Sequence, residues 1–313
     1  MVITSPTQFN DISDPGLLGG TCGLIVGWST SQALEAANHT LSRLQRLGVQ
    51  VPAGNRLERA RKSIQRIDRF HVQLGHGDQA TERLLAEASR TVFEQHLIVY
   101  ELQPLNPDTI RKLQLVLTGP DIPVAGRHDP ARDAQAELFA GVLFYGAGFR
   151  VDPVEPPDLM LTRNGWRAPV AVKRVTSAKN FKKRLRQGRD QLIAARGRGF
   201  IVVNADMFLS ELYYQNRSTN LSAAHYEKIS EWTDGLPLDH VRNPVLGVVG
   251  ISTSFQHRRG GSGHDLAFQI HFHSRFVTWQ DPAQIDAATK FGALMGEALK
   301  SALGRMTGTL RSE

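Results

Sequence analysis

Between residues 31 and 118 apolar residues recur at helical spacing. The stretch SQALEAANHTLSRLQRLG (31–48) places them three and four apart and ends on Gly48, a residue suited to a helix C-cap. NRLERARKSIQRIDRF (55–70) repeats the period, with Leu57, Ile64 and Ile67 on one side. QATERLLAEASRTVFEQHLIVYEL (79–102) predicts a third helix and TIRKLQLVL (109–117) a short fourth. Upstream, GLLGGTCGLIVGW (16–28) is apolar but glycine-rich and predicts a buried turn or strand. It is far shorter than the ~20 residues of a membrane helix. No Gly-Lys-Ser/Thr follows it, so it does not match a phosphate-binding loop. The proline- and glycine-bearing run GPDIPVAGRHDP (119–130) predicts a linker, which divides the chain into residues 1–125, mostly helical, and 126–313.

The period changes in the second part. ARDAQAELFAGVLFYGAGF (131–149) predicts an amphipathic helix. PDLMLTR (157–163) and APVAVKRV (168–175) predict paired strands turned by Asn164-Gly165, a strong hairpin signal. SAKNFKKRLRQGRDQLIAARG (177–197) is a second helix and GFIVVNADM (199–207) a buried strand. VLGVVGISTSF (245–255) and DLAFQIHFHSRFVTW (265–279) predict two more strands around a flexible turn, HRRGGSGHD (257–265), and AATKFGALMGEALKSALGRM (287–306) predicts a closing helix. Such alternation predicts an α/β fold with a mixed sheet covered by helices.

Charge sharpens this picture once it is located. The net +7 is not spread evenly. Residues 1–130 hold 13 basic and 13 acidic side chains, residues 131–200 hold 14 and 6, and residues 201–313 hold 10 and 11. The basic excess therefore sits in the middle segment, where clustered cations favour a polyanionic partner. A single cysteine, Cys22, excludes an internal disulfide framework and a cysteine-rich zinc site, and fits a reducing, cytoplasmic setting. The start MVITSPTQFNDISD lacks the basic region of a signal peptide.

The same segment carries the candidate chemistry. Hydrolysis of a phosphodiester requires neutralised phosphate charge, an activated water and a stabilised leaving oxygen. Adjacent strands lie ~4.8 Å apart, so a carboxylate on one and an ammonium on the next can meet across a hairpin. Asp158 and Lys173 occupy such positions. Lys173 interrupts the valine-rich run VAVKRV, and a buried lysine calls for an acidic or phosphate partner.

Taken together, Glu137 on a helix, Pro157-Asp158 on a strand, Ala171-Val172-Lys173 on the next strand and Gln191 on the following helix resemble the PD-(D/E)XK, or restriction-endonuclease-like, nuclease superfamily. The resemblance covers about residues 130–205, and it implies a restriction-endonuclease-like sheet and a Mg²⁺- or Mn²⁺-dependent nuclease. Ala171 departs from the pattern, because most members carry a metal-binding acid there. The resemblance then implies Glu137 as the replacement, Asp158 as metal ligand, the Val172 carbonyl as a further ligand, and Lys173 to orient the attacking water or offset charge in the transition state. Asp133, one turn before Glu137, is placed to support it; the alternative without chemistry is that Glu137 is an exposed helix acid paired with Arg132 or a neighbour. Gln191 resembles the glutamine that exonuclease-like members follow with tyrosine four residues on; this chain has Ala195 there.

On helix 177–197 Ser177 is a candidate N-cap, and Phe181, Leu185, Gly188 and Leu192 form an apolar stripe. Lys179, Lys182, Lys183 and Arg186 form a separate basic stripe, widened by Arg184 and Arg189 and preceded by Arg174. Such a stripe tracks a phosphate backbone without reading bases. His257, His264, His271 and His273 have only Asp265 nearby as a supporting acid, too little for a zinc centre, while Arg258 and Arg259 at the turn are placed to touch a nucleic-acid backbone. The expected activity is a metal-dependent nuclease acting on DNA in preference to RNA, in restriction, phage defence, repair or mobile-element processing. The alternative is a catalytically inactive nucleic-acid-binding or scaffold protein that keeps the fold. The helical half is expected to serve a homodimer or a protein partner, and no membrane association is expected.

Overall fold

The computed structural model describes residues 19–70, 79–102, 106–124, 128–146, 148–163, 165–206, 244–260 and 263–276. The helix expected at 287–306 lies outside them. The described chain runs β1 (Gly19–Ser29), α1 (Thr30–Arg46), α2 (Arg56–Phe70), α3 (Gln79–Glu101), α4 (Pro107–Val116), α5 (Pro130–Gly146), β2 (Arg150–Pro153), β3 (Leu159–Arg163), β4 (Trp166–Arg174), α6 (Ala178–Ala194), β5 (Gly199–Asn204), β6 (Val245–Gly260) and β7 (Gly263–Phe276).

Local chemistry explains several element ends. Ser29 caps α1 in a reciprocal capping box with Gln32, and Gly48 follows the helix at φ 74°. Asn106 caps α4 ahead of Pro107, whose missing N–H costs nothing in a first turn. Gly165 turns the β3–β4 hairpin at φ 79°, a conformation that suits glycine. Ser177 stands at the N-cap of α6 with extended backbone, but its side chain makes no capping hydrogen bond, contrary to the sequence expectation.

The strands form one mixed sheet in the order β1-β7-β6-β5-β4-β3-β2. β2, β3 and β4 are antiparallel; β4, β5 and β6 are parallel; β6, β7 and β1 are antiparallel again. The β4–β5 pair is parallel because α6 carries the chain back across the sheet. β2, which the pattern analysis missed, is only four residues long and too short for a visible period. The expected flexible turn at 257–265 is mostly strand, since β6 and β7 pair through Arg259↔His264 to Gly260↔Gly263.

Side-chain alternation sorts the sheet into two apolar faces. Val170, Val172, Phe200, Val202, Val249 and Ile251 join the larger cluster, which also holds buried residues of α1 to α5. Ala171, Ile201, Val203 and Val248 join a smaller cluster with Phe181, Leu185 and Leu192 of α6. The helices thus flank the sheet on both faces. The stripe expected on α6 is the buried one, and each of its large side chains contributes about 1.5–3 kcal/mol by leaving water. The boundary expected near residue 126 falls between α4 and α5, and the larger cluster continues across it from Leu117 to Ala134.

Candidate active site

Asp158 stands immediately before β3 and is 5 % exposed. Its backbone N–H donates to the Val170 carbonyl at 3.1 Å, extending the β3–β4 ladder by one residue. That register fixes the side chain. Oδ2 accepts from the Val172 N–H at 2.6 Å and from Lys173 Nζ at 2.9 Å, and Oδ1 accepts from Gln191 Nε2 at 3.1 Å. Lys173 Nζ also donates to the Val172 carbonyl at 2.8 Å. The hairpin therefore brings aspartate and lysine into contact, as expected, and α6 adds the glutamine.

Glu137 comes from α5 and lines the same cleft as Asp158. Its partner is not Arg132, which is engaged with Glu87 at 2.9 Å, but Lys112 of α4, whose Nζ donates to Glu137 Oε2 at 2.6 Å. Burial pushes the Glu137 carboxyl above its ordinary value; Lys112 pulls it down, Asp158 pushes it further up, and Lys173 opposes. Asp133 lines the cleft one turn earlier but is not bound to Glu137; it accepts from Arg174 Nε at 2.7 Å and pairs with His128 at 3.2 Å.

The cleft, about 530 Å³, lies between α5, the end of β4 and α6, and Asp133, Glu137, Asp158, Lys173, Arg184 and Gln191 all line it. No family model, no curated protein and no solved structure matches this chain. The reading of the site thus rests on its own geometry. Ala171 shares its strand face with Lys173 but is fully buried in the smaller apolar cluster, so the position aligned with the missing acid is a packing position.

The basic helix divides. Lys179, Lys182, Lys183 and Arg186 are exposed, whereas Arg189 is half-buried with Asp190 at 2.8 Å. Arg174, expected on the basic surface, is 8 % exposed and held by Asp133, so its charge is spent inside the fold. His257, His264, His271 and His273 lie on β6 and β7, but their side chains fall outside the described set.

Sequence reasoning missed Lys112 and an interior ionic layer. The signal for Lys112 was present, because Thr109, Lys112, Leu113 and Val116 are buried at i, i+3, i+4 and i+7, and a lysine on that stripe needs a partner. Likewise Glu87, Arg90 and Glu94 lie along the buried face of α3. Glu87 accepts from Arg90 at 2.5 Å and from Arg132 at 2.9 Å; burial opposes its charge, but the two arginines prevail and hold it at about 2. Glu94 contacts the Gln135 amide, and burial with nearby Asp206 raises it to about 7. Asp206, beyond β5, accepts from Asn204 Nδ2 at 2.6 Å and from the Thr253 N–H.

Among the described residues no group of three or more His, Cys, Asp or Glu side chains is arranged to hold a metal ion. The smaller donor set that remains is Glu137 and Asp158. Glu137 Oε1 accepts no hydrogen bond from the described residues, and Asp158 Oδ1 accepts one. Such a pair suits Mg²⁺, which takes one or two carboxylates and keeps several waters, and does not suit an all-protein cage. Among the described residues no helix is long and apolar enough to cross a membrane.

Proposed function

We propose that this chain is a metal-dependent phosphodiesterase of the restriction-endonuclease-like type, with DNA as the favoured substrate. One observation carries the reading: Glu137, Asp158, Lys173 and Gln191, far apart in sequence, line a single open cleft together with Arg184 of α6. Glu137 and Asp158 would hold Mg²⁺ or Mn²⁺, with the Val172 carbonyl as a further oxygen. A bound ion would supply charge neutralisation at the phosphate and acidification of a water. Gln191 and the Val172 N–H keep the Asp158 carboxylate in one orientation. The Lys173 ammonium, fixed by Asp158 and the Val172 carbonyl, presents positive charge where a phosphate oxygen gains negative charge. Lys179, Lys182, Lys183 and Arg186 would track the backbone without reading bases.

The test is incubation of plasmid and single-stranded DNA and RNA with Mg²⁺ or Mn²⁺, using the parent chain, Lys173→Met and Glu137→Gln. Cutting by the parent and loss by at least about 100-fold in folded Lys173→Met supports the reading. Parent and Lys173→Met preparations that cut equally would remove it. A second reading, a non-catalytic nucleic-acid-binding protein, is favoured by Ala171, which brings no carboxylate to the site and is packed in the smaller apolar cluster. Absence of cutting together with weaker DNA binding in Lys182→Ala/Lys183→Ala would select it.

A further inference from the structure

Lys112 of α4, in the helical half of the chain, does not line the cleft itself but contacts Glu137, which does. Its side chain is 6 % exposed, its Nζ lies 2.6 Å from Glu137 Oε2 and 3.7 Å from Glu155 Oε1, and α4 packs against α5. Asp158 is oriented by three donors, the Val172 N–H, Lys173 and Gln191. Glu137 has Lys112 alone among the described residues. An ammonium on one carboxylate oxygen fixes the group's rotation and leaves the other oxygen to a ligand. A glutamate without that contact samples several rotamers, at a cost to any site that needs one of them.

We propose that Lys112 is a positioning residue that completes the cation site of the cleft, by holding the Glu137 carboxylate with Oε1 available beside Asp158. The inference rests on the nuclease reading and gives helix α4 a part in it: the helical half supports the site from behind Glu137. Partners of this kind typically change metal affinity by about 10–100-fold when removed.

The full chain is titrated with Mn²⁺ and free ion is read by electron paramagnetic resonance, for the parent, Lys112→Met, Lys112→Arg and Val116→Ala. Val116→Ala removes a core contact from the same helix and reports the effect of loosening α4 alone. Lys112→Met should bind Mn²⁺ about 10–100-fold more weakly, Lys112→Arg should recover most of the loss, and Val116→Ala should match the parent. In the parent, which needs no variant to fold, substoichiometric Mn²⁺ should also broaden the Lys112 Cε resonance. Parent-like binding by Lys112→Met, equal weakening in Lys112→Met and Val116→Ala, or a Lys112 resonance untouched by Mn²⁺ each overturns the assignment. A parent that cuts and binds Mn²⁺ while Lys112→Met behaves identically loses this inference alone. A parent that binds no Mn²⁺ loses the nuclease reading with it.

Discussion

At the scale of single residues, the Asp158–Lys173 contact ties the proposed chemistry to stability. Both side chains are nearly buried, at 6 % and 11 % exposure. Removing one partner of such a pair leaves a stranded charge, at a cost of about 3 kcal/mol. Asp158→Asn should therefore lower the denaturation midpoint strongly. The double variant Asp158→Asn/Lys173→Met should recover part of the loss, which a double-mutant cycle in urea would show; strict additivity would argue against direct coupling. Gly199 makes a sharper case. A Cβ there would lie 1.8 Å from the Pro169 carbonyl oxygen, a backbone atom of the neighbouring strand. Gly199→Ala should cost at least about 2 kcal/mol in the same assay. By contrast Gly165, where a Cβ meets nothing, is constrained by its φ of 79° alone.

At the scale of elements, α3 sets two opposed proton linkages. Glu94 is raised by burial and by Asp206 from 4.5 to about 7, so the folded state retains a proton that the unfolded chain releases. Its contribution to stability is full below pH 4.5 and is lost as pH rises towards 7. His96, whose Nδ1 meets Thr40 Oγ1 at 3.0 Å, is lowered by burial from 6.5 to about 4. Its contribution is full above pH 6.5 and is lost as pH falls towards 4. Each linkage is on the order of 1–3 kcal/mol, and the two oppose one another across the shared window. Glu94→Gln should raise the melting temperature at pH 8. It should also make the loss on acidification from pH 6.5 to 4.5 steeper than in the parent, as followed by circular dichroism. A variant with the parent's profile would show that Glu94 does not titrate in this range. Below that window Glu87, held at about 2 by Arg90 and Arg132, should govern acid unfolding.

At the scale of the whole molecule, the basic segment becomes a surface only in part. Lys179, Lys182, Lys183 and Arg186 face solvent on α6, while Arg174 and Arg132 turn inward to Asp133 and Glu87. The charge excess of residues 131–200 thus overstates the surface offered to a polyanion. On the proposed nucleic-acid reading, DNA affinity should fall steeply with salt, and Lys182→Ala/Lys183→Ala should reduce the slope of log K against log salt by about 2, similarly for unrelated sequences. Fluorescence anisotropy between 50 and 200 mM salt reads this directly. An unchanged slope would place the contact elsewhere.

Much of this organisation was legible along the chain. Helical period marked α1 to α6, the Asn-Gly signal marked the β3–β4 hairpin, and a lysine inside VAVKRV marked a partner to be found. These are local consequences of backbone preference and of the cost of burying charge, which act within a few residues. What the sequence did not decide was who meets whom. That Glu137 pairs with Lys112 and not Arg132, that Arg174 is buried, and that Ala171 packs under α6 follow from how α4, α5 and α6 settle on the sheet. Such contacts join residues tens of positions apart, and their partners are chosen by packing geometry, to which a one-dimensional pattern of polar and apolar positions is blind.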